Sequence, residues 1–138
     1  MRVVITVFID SDVILDALLK RPGFYLPAAN ILELAYEKRL KLQTSSVVFV
    51  NAHYFLDKFD KVNKLELLKR LRSIVSIIEI GEKIIDLAIS SNFVDFEDAV
   101  QFYAAKSANA DFIITRNIKD YKHSTIPVLT AEQFLRTL

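Results

Sequence analysis

The order of apolar and polar positions divides the chain into short apolar runs and longer segments with apolar residues on a helical spacing. Runs that are almost continuously apolar and rich in β-branched residues predict buried strands. Such runs occupy residues 3–9, 74–80, 112–115 and 126–129, and a short strand is also predicted at residues 41–44, ending in a capping cluster at 44–46. Pro127 cannot donate to a β-ladder, so the last run is expected at a sheet edge.

The segments between these runs carry apolar residues on one helical face. They predict helices at residues 13–19, 27–40, 47–59, 65–71, 82–90, 95–108 and 131–138. Strands alternating with helices indicate an α/β fold with a mainly parallel sheet.

The composition bounds the class of protein. A chain of 138 residues that is 52% hydrophobic, with 2 Gly and 3 Pro, predicts a single domain over residues 1–138 with little room for linkers. No uncharged apolar run reaches membrane-spanning length, and Asp10 interrupts the only apolar stretch near the amino terminus. With 0 Cys the chain offers no disulfide or thiolate metal site, so we expect a cytoplasmic protein that does not enter a membrane.

Asp10 and Asp12 directly follow the first predicted strand, where open α/β sheets place their ligands. One of them could simply cap the helix that follows. A cap requires one acid, whereas two neighbouring carboxylates repel each other unless a cation or another partner lies between them. A functional role for Asp10 is therefore favoured.

Asp98 is open to two interpretations as well. Asp95 has the spacing of a helix N-cap, and Asp98 at the third helical position could complete a capping box. Asp98 also heads an apolar stripe with Phe102 and Ala105, which would direct its carboxylate toward the interior edge of the fold. A buried carboxylate needs a partner or a metal ion.

Asn117 and Asp120 follow the fourth predicted strand and can share a crevice with Asp10 if the two strands are neighbours. Alone they would be ordinary turn residues. Three acids from separate segments, without Cys, favour a hard cation such as Mg²⁺ or Mn²⁺. His53 and His123 are not spaced for a zinc site. The sequence contains no phosphate-binding glycine loop and no Cys nucleophile.

The net charge of +1 gives no general signal for polyanion binding, but several basic residues are clustered. Each alone is most simply a solvated helix residue, whereas a basic rim beside an acidic site would suit the phosphates of a nucleic-acid substrate. We call this set the basic cluster: Lys58, Lys61, Lys64, Lys69, Arg70 and Arg72.

Three segments in order, residues 8–16, 95–99 and 114–121, resemble the signature segments of PIN-domain ribonucleases. The resemblance covers essentially the whole chain, and no single segment is specific. It implies a three-layer sandwich around a sheet of four to five strands, and a VapC-like toxin that cleaves RNA with a metal ion. An antitoxin partner and a homodimer are implied too.

By this resemblance, Asp10, Asp98 and Asp120 would bind Mg²⁺ or Mn²⁺, with Asn117 in the last cluster and Thr115 lining the site. The family usually has a glutamate at the position of Asn51. The amide of Asn51 supplies no charge. Either Asp12 or Glu97 is expected to make up the missing charge.

Two alternatives remain open from the sequence. The residues around Asp10 and Asp12 also resemble the first motif of haloacid-dehalogenase-like phosphatases, in which the first Asp is a nucleophile, although this chain is short for that fold. The other alternative is a PIN-like binding module that has lost catalysis through Asn51. Metal binding and RNA cleavage separate the three hypotheses.

Overall fold

The strands of this chain form one sheet in the computed structural model, which describes residues 4–138. The strands are β1 (Thr6–Ile9), β2 (Lys41–Ser45), β3 (Val75–Ile78), β4 (Phe112–Ile114) and β5 (Val128–Leu129). The helices are α1 (Ser11–Leu18), α2 (Tyr25–Tyr36), α3 (Ser46–Phe59), α4 (Lys64–Ile74), α5 (Glu82–Ile89), α6 (Phe96–Ser107) and α7 (Ala131–Arg136).

The sheet has the order β3-β2-β1-β4-β5, and each neighbouring pair is parallel. The predicted α/β class and parallel sheet are confirmed, and β5 lies at the edge as its proline predicts. Because β1 lies between β2 and β4, the carboxyl ends of these three strands meet at one edge of the sheet. This edge receives Asp10, Ser45 and Thr115.

The central strand forms the core because it is apolar on both faces. Val7, Phe8 and Ile9 have no exposed surface. Complete burial of a side chain of this size stabilises a fold by about 1.5–3 kcal/mol. Helices contribute Ile14, Ile31 and other side chains to the same core cluster. The rigid centre of the sheet therefore positions the residues that follow β1.

Several boundaries differ from those that the pattern predicts. Helix α2 covers residues 25–36 rather than 27–40, and Lys38 just beyond it has a left-handed φ of 59°, which a continuing helix does not allow. Ile74, predicted in a strand, ends α4. The predicted start of the first strand, Val3, lies outside the described residues. Ile118–Tyr121 forms a short 3₁₀ helix where only a turn is predicted.

Among the helices of residues 4–138, none combines the length and the apolar character needed to span a membrane.

Candidate active site

Asp10 lies at the carboxyl end of β1, where its backbone N–H donates to Ile114 O of β4 at 3.0 Å. Its Oδ1 accepts from the Ser11 backbone N–H at 2.8 Å, so Asp10 is the N-cap of α1. Its Oδ2 is not used by the cap. Capping therefore involves only half of this carboxylate.

Two hydroxyl groups donate to the other oxygen of Asp10. Thr115 Oγ1 lies 3.1 Å and the Tyr121 hydroxyl 3.0 Å from Asp10 Oδ2. Both donors are almost completely buried. The structure thus brings Thr115 to Asp10, as the resemblance implies. Tyr121 is absent from the sequence-based set of site residues.

Asp12 faces the loop after β4. The Arg116 backbone N–H donates to Asp12 Oδ2 at 3.1 Å, and Asn117 Nδ2 lies 3.4 Å from the same oxygen. Thr115 Oγ1 is 3.4 Å from it as well, but the single hydroxyl proton serves either this oxygen or Asp10. The other Asp12 oxygen, Oδ1, is buried without a hydrogen-bond partner in the described structure.

Burial raises the pKa of Asp10 to about 6, from 3.8, with the Asp12 carboxylate adding to the shift. Hydrogen bonds from Ser11, Tyr121 and Thr115 favour the ionised form and oppose this effect. Burial also raises the pKa of Asp12. The site therefore holds two carboxylates whose negative charge is costly without a cation.

Asp98 lies in the first turn of α6. Asp95 Oδ1 accepts from the Asp98 backbone N–H at 2.9 Å, so Asp95 is the N-cap. The capping box considered from the sequence is not formed, because within residues 4–138 no hydrogen bond involves the Asp98 carboxylate. This carboxylate is not occupied by a capping role.

Burial raises the pKa of Asp98 to about 7, and four carboxylates raise it further: Asp95, Asp10, Asp120 and Glu97. Asp120 itself is exposed on the 3₁₀ helix and its backbone N–H donates to Asn117 O at 3.0 Å. The late helix, the first strand and the loop after β4 thus share one negative electrostatic environment.

Asn51 of α3 contacts the acidic region through Glu97. Its Nδ2 donates to Glu97 Oε1 at 2.9 Å. The position at which the family usually has a glutamate therefore holds an amide that orients a glutamate of α6. Both groups are solvent-accessible, with Glu97 the more exposed.

Ser45 joins β2 to α6 in the buried interior. Its hydroxyl donates to Gln101 Oε1 at 2.6 Å and accepts from the Val48 backbone N–H at 3.1 Å, which makes it the N-cap of α3. The capping role follows from the sequence pattern, whereas the contact with Gln101 does not. This bond positions α6, and with it Asp98, against the end of β2.

Asp16 was not a sequence-based candidate, yet its side chain is only 2% exposed. Its Oδ2 lies 3.1 Å from Arg116 Nε, and its Oδ1 lies 3.5 Å from Arg21 Nη1. The Arg116 guanidinium carbon is 4.1 Å from the centre of the Phe24 ring, a cation–π geometry. These contacts fix the side chain of Arg116, one residue from Thr115.

The donor set fits a hard divalent cation. The acids that converge here are carboxylates, and burial, with repulsion between the carboxylates added, raises the pKa values of Asp10 and Asp98, as expected where a cation would balance the charge. Within residues 4–138, no three Asp, Glu or His side chains are close enough to enclose a metal ion as they stand. A cation would have to draw the carboxylates together.

The basic cluster does not surround these acids. Ser46 follows the carboxyl end of β2, and Lys58 lies roughly 18 Å further along α3, at about 1.5 Å per residue. Helix α4 ends where β3 begins, at the amino ends of the strands, whereas the acids lie at their carboxyl ends. Lys64 pairs with Asp57, Arg70 pairs with Glu66, and Arg72 donates to Val75 O. This supports the simpler interpretation, a solvated helix surface with local pairing.

Comparison with known proteins agrees with this architecture. The family model described as the PIN domain matches residues 6–119. Ribonuclease VapC1 of Aquifex aeolicus is 31% identical over 133 residues, covering 93% of this chain and 92% of the relative.

Two solved structures share the fold. VapBC2 of Rickettsia felis, crystallised with a DNA fragment from its promoter, aligns with a TM-score of 0.70 and 20% identity over 91% of this chain and 98% of that one. A toxin–antitoxin complex from Klebsiella pneumoniae aligns with a TM-score of 0.69 and 20% identity, over 91% of this chain and 97% of that one. Because the PIN-domain model matches residues 6–119 and the ribonuclease VapC1 relative is 31% identical over almost the whole chain, the chain belongs to the PIN-domain family.

Proposed function

We propose that this protein is a metal-dependent endoribonuclease that hydrolyses RNA phosphodiester bonds, and that it is the toxin of a toxin–antitoxin pair. The observation that carries the proposal is the pair Asp10 and Asp98. They come from the end of the first strand and a late helix, yet they share one environment, in which the Asp10 carboxylate adds to the raised pKa of Asp98. The name of the related VapC1, a ribonuclease, supports the substrate class.

Asp10, Asp98 and Asp120 would hold Mg²⁺ or Mn²⁺, and their neighbours would support them: Asp12, Asn51, Glu97, Thr115 and Asn117. Such a bound cation lowers the pKa of a water molecule and stabilises charge on the attacked phosphate. Hydrolysis in line then needs no covalent intermediate with the protein.

The protein's own contribution is to orient the acids and, at Asp10, to oppose part of the effect of burial on its ionisation. Thr115 and Tyr121 donate to Asp10 Oδ2, which orients this oxygen and favours its negative charge. The cap bond from Ser11 fixes the other oxygen. Asp98 is attached to a helix that the Ser45–Gln101 bond holds against the sheet. We infer that these contacts prearrange the carboxylates for a cation.

Purified protein incubated with single-stranded and structured RNA tests the proposal. We expect cleavage with Mg²⁺ or Mn²⁺ and none with chelator. Asp98→Asn should abolish cleavage with the fold intact, and Asp86→Asn, an exposed acid on α5, is the matched control. Cleavage that persists in chelator, or in Asp98→Asn, contradicts the metal mechanism.

The alternative of a binding module without catalysis rests on the uncharged Asn51. Calorimetric titration with Mn²⁺ separates the two, since the module is expected to bind no metal. The phosphatase alternative loses support from the PIN-domain match and from β4, which is followed by Thr115, Arg116 and Asn117 instead of the acidic pair that this class needs.

The protein partners follow from the same proposal. A cognate antitoxin is supported by the Klebsiella pneumoniae neighbour, a toxin–antitoxin complex. A homodimer is expected as well, and several large apolar side chains are exposed and available for burial against a partner: Val50, Tyr54, Phe59, Val62 and Val94. Light scattering of the purified chain measures the dimer, and a stoichiometric complex with the product of an adjacent gene would test the antitoxin.

A further inference from the structure

A cavity of about 410 Å³ lies beside the acidic site, between α1, the start of α2, the loop after β4 and the start of α7. Its volume is within the range of roughly 300–1,000 Å³ that small-molecule sites occupy. Its lining includes Val13, Asp16, Phe24, Arg116, Asn117 and Glu132. The proposed metal ligands are not among the lining residues.

One wall of the cavity offers a flat surface. Phe24 is 45% exposed, and the Arg116 guanidinium carbon lies 4.1 Å from the centre of its ring. Gly23, with a φ of 84°, makes the turn that presents Phe24. Aromatic rings and arginine planes are the groups on which unpaired nucleobases stack.

The buried Asp16 side chain fixes the Arg116 part of this wall. Asp16 pairs with Arg116 at 3.1 Å, and its side chain is only 2% exposed. Among residues 4–138, the other Asp16 oxygen, Oδ1, finds no hydrogen-bond donor, although Arg21 Nη1 lies 3.5 Å away. A stacking surface that is fixed before binding costs less ordering entropy when a ligand arrives.

The rest of the lining combines apolar and polar side chains. Val13 and Ala131 are apolar, whereas the Asn117 amide and the Glu132 carboxylate are exposed polar groups able to reach the edge of a base. Asn117 also connects the cavity to the acids, because its Nδ2 lies 3.4 Å from Asp12 Oδ2. A nucleotide with its base in the cavity would have its phosphate near Asp10 and Asp12, where a bound cation would offset the repulsion between the anions.

We propose that this cavity is a subsite for one unpaired nucleobase of the RNA, adjacent to the phosphodiester that is cleaved. The position of the RNA rests on the proposed function, whereas binding of a base in the cavity does not. Phe24 and Arg116 supply stacking, and Asn117 contacts the base edge. The subsite would give cleavage a base preference at one position next to the cut.

Binding is tested by NMR titration of the full chain, in chelator, with the four ribonucleoside 5′-monophosphates. We expect at least one of them to shift the backbone signals of Phe24, Arg116, Asn117 and Ala131. Ribose 5-phosphate is the control for the phosphate group. If it produces the same shifts with the same affinity, the base is not recognised and the proposal is overturned.

Variants of the lining test whether the Phe24 ring contributes to nucleotide binding. Phe24→Leu keeps an apolar group but removes the plane, and should weaken nucleotide binding at least fivefold, the lower end of a stacking contribution of about 1–3 kcal/mol. Tyr36→Leu, which removes an exposed ring of α2 outside the cavity, should not change it. Equal affinity in Phe24→Leu and wild type contradicts the subsite, and so does binding whose shifts lie elsewhere.

Cleavage of a randomised RNA by the same variants separates this inference from the function. Phe24→Leu is expected to cleave with a flattened base preference at one position, shown as a fivefold or larger loss for the preferred base. RNA cleavage by wild type without nucleotide shifts in the cavity overturns the subsite and leaves the function. Nucleotide shifts in the cavity without any RNA cleavage support the base site and count against the function.

Discussion

Tyr121 donates a hydrogen bond to Asp10 across 111 positions of the chain, with 3.0 Å between the hydroxyl and Oδ2. The Tyr121 ring is almost fully buried, and burial together with the nearby carboxylates raises the pKa of its hydroxyl. It therefore stays protonated and remains a donor. The short 3₁₀ helix that carries Asp120 thus also supplies a donor to the first acid of the site.

Tyr121→Phe is expected to raise the pKa of Asp10 further, because a donor to the ionised form is lost. A hydrogen bond to a charged group contributes about 1.5–3 kcal/mol, so we expect a stability loss toward that size at pH 8, where Asp10 is ionised, and a smaller one at pH 5. Urea unfolding at both pH values measures this. In RNA cleavage, the acid limb of the pH–rate profile should move to higher pH.

Tyr103→Phe is the matched control for this substitution, since Tyr103 is a half-buried residue of α6 whose hydroxyl makes no hydrogen bond within the described residues. It should change neither the pH dependence of stability nor the cleavage profile. An unchanged acid limb in Tyr121→Phe would mean that the hydroxyl does not influence Asp10.

Asp95 and Asp98 separate capping from function on the same helix turn. Asp95→Ala removes the bond to the Asp98 N–H and should cost about 1 kcal/mol of stability, with cleavage retained. Asp98→Asn should abolish cleavage and Mn²⁺ binding without loss of stability, because its carboxylate caps nothing. Unfolding curves and Mn²⁺ calorimetry on both variants provide the test. A destabilised but active Asp98→Asn would refute the site role.

The sequence predicts those features that depend on neighbouring residues. Asp10 is marked by an apolar strand that ends abruptly at an acid, and Asp95 caps α6 as its spacing predicts. The resemblance to the PIN-domain family adds the order of the acids. The local patterns do not specify the order of the strands in the sheet. The alternation of strands and helices does predict that the sheet is parallel.

Contacts between distant segments are not visible in the sequence. Tyr121 lies among polar residues, and nothing in its segment indicates a bond to Asp10. Gln101 meets Ser45 across 56 positions in the buried interior. Asp16 lies on the helix face whose neighbours are apolar, and its partner Arg116 is 100 positions later. Each of these contacts depends on how the layers pack, which local patterns do not specify.

The metal-free protein should lose stability as pH rises from about 4 to above 7. The folded-state pKa values of Asp10, about 6, and Asp98, about 7, lie above the ordinary 3.8. The folded protein therefore binds these protons more tightly than the unfolded chain, and the stabilisation present below pH 4 disappears as pH rises through both values. Urea unfolding in chelator at pH 5, 6, 7 and 8 measures the trend.

Asp98→Asn provides the comparison for this trend, because an amide does not titrate. The variant should lose less stability than wild type between pH 5 and pH 8. Excess Mn²⁺ at pH 8 should stabilise wild type and not the variant, since a ligand that binds only the folded state raises its stability. Identical pH profiles for the two proteins would show that Asp98 does not titrate as its surroundings indicate.

Asn51 and Glu97 provide the last prediction. The amide of Asn51 orients Glu97, so the carboxylate that the family usually carries on α3 is expected to be supplied here from α6. Glu97→Gln keeps an oxygen that accepts from Asn51 but removes the charge. We expect Mn²⁺ affinity to fall by about 10–100-fold, the usual effect of losing a supporting group at a metal site.

Moving the carboxylate from Glu97 of α6 to position 51 of α3 tests whether one can replace the other. Asn51→Glu alone should tighten Mn²⁺ binding, and the double variant Asn51→Glu with Glu97→Gln should return the affinity toward that of wild type, since one carboxylate is again present between α3 and α6. Asn30→Glu, at an exposed position of α2, adds the same charge away from the site and should have no effect. Calorimetric titration of these four variants, of Asp98→Asn and of wild type gives the affinities. If Glu97→Gln binds Mn²⁺ as tightly as wild type while Asp98→Asn binds none, the metal site stands and Glu97 contributes nothing to it. If the double variant binds no better than Glu97→Gln, the position of Asn51 cannot replace Glu97, because a charge placed there does not reach the cation.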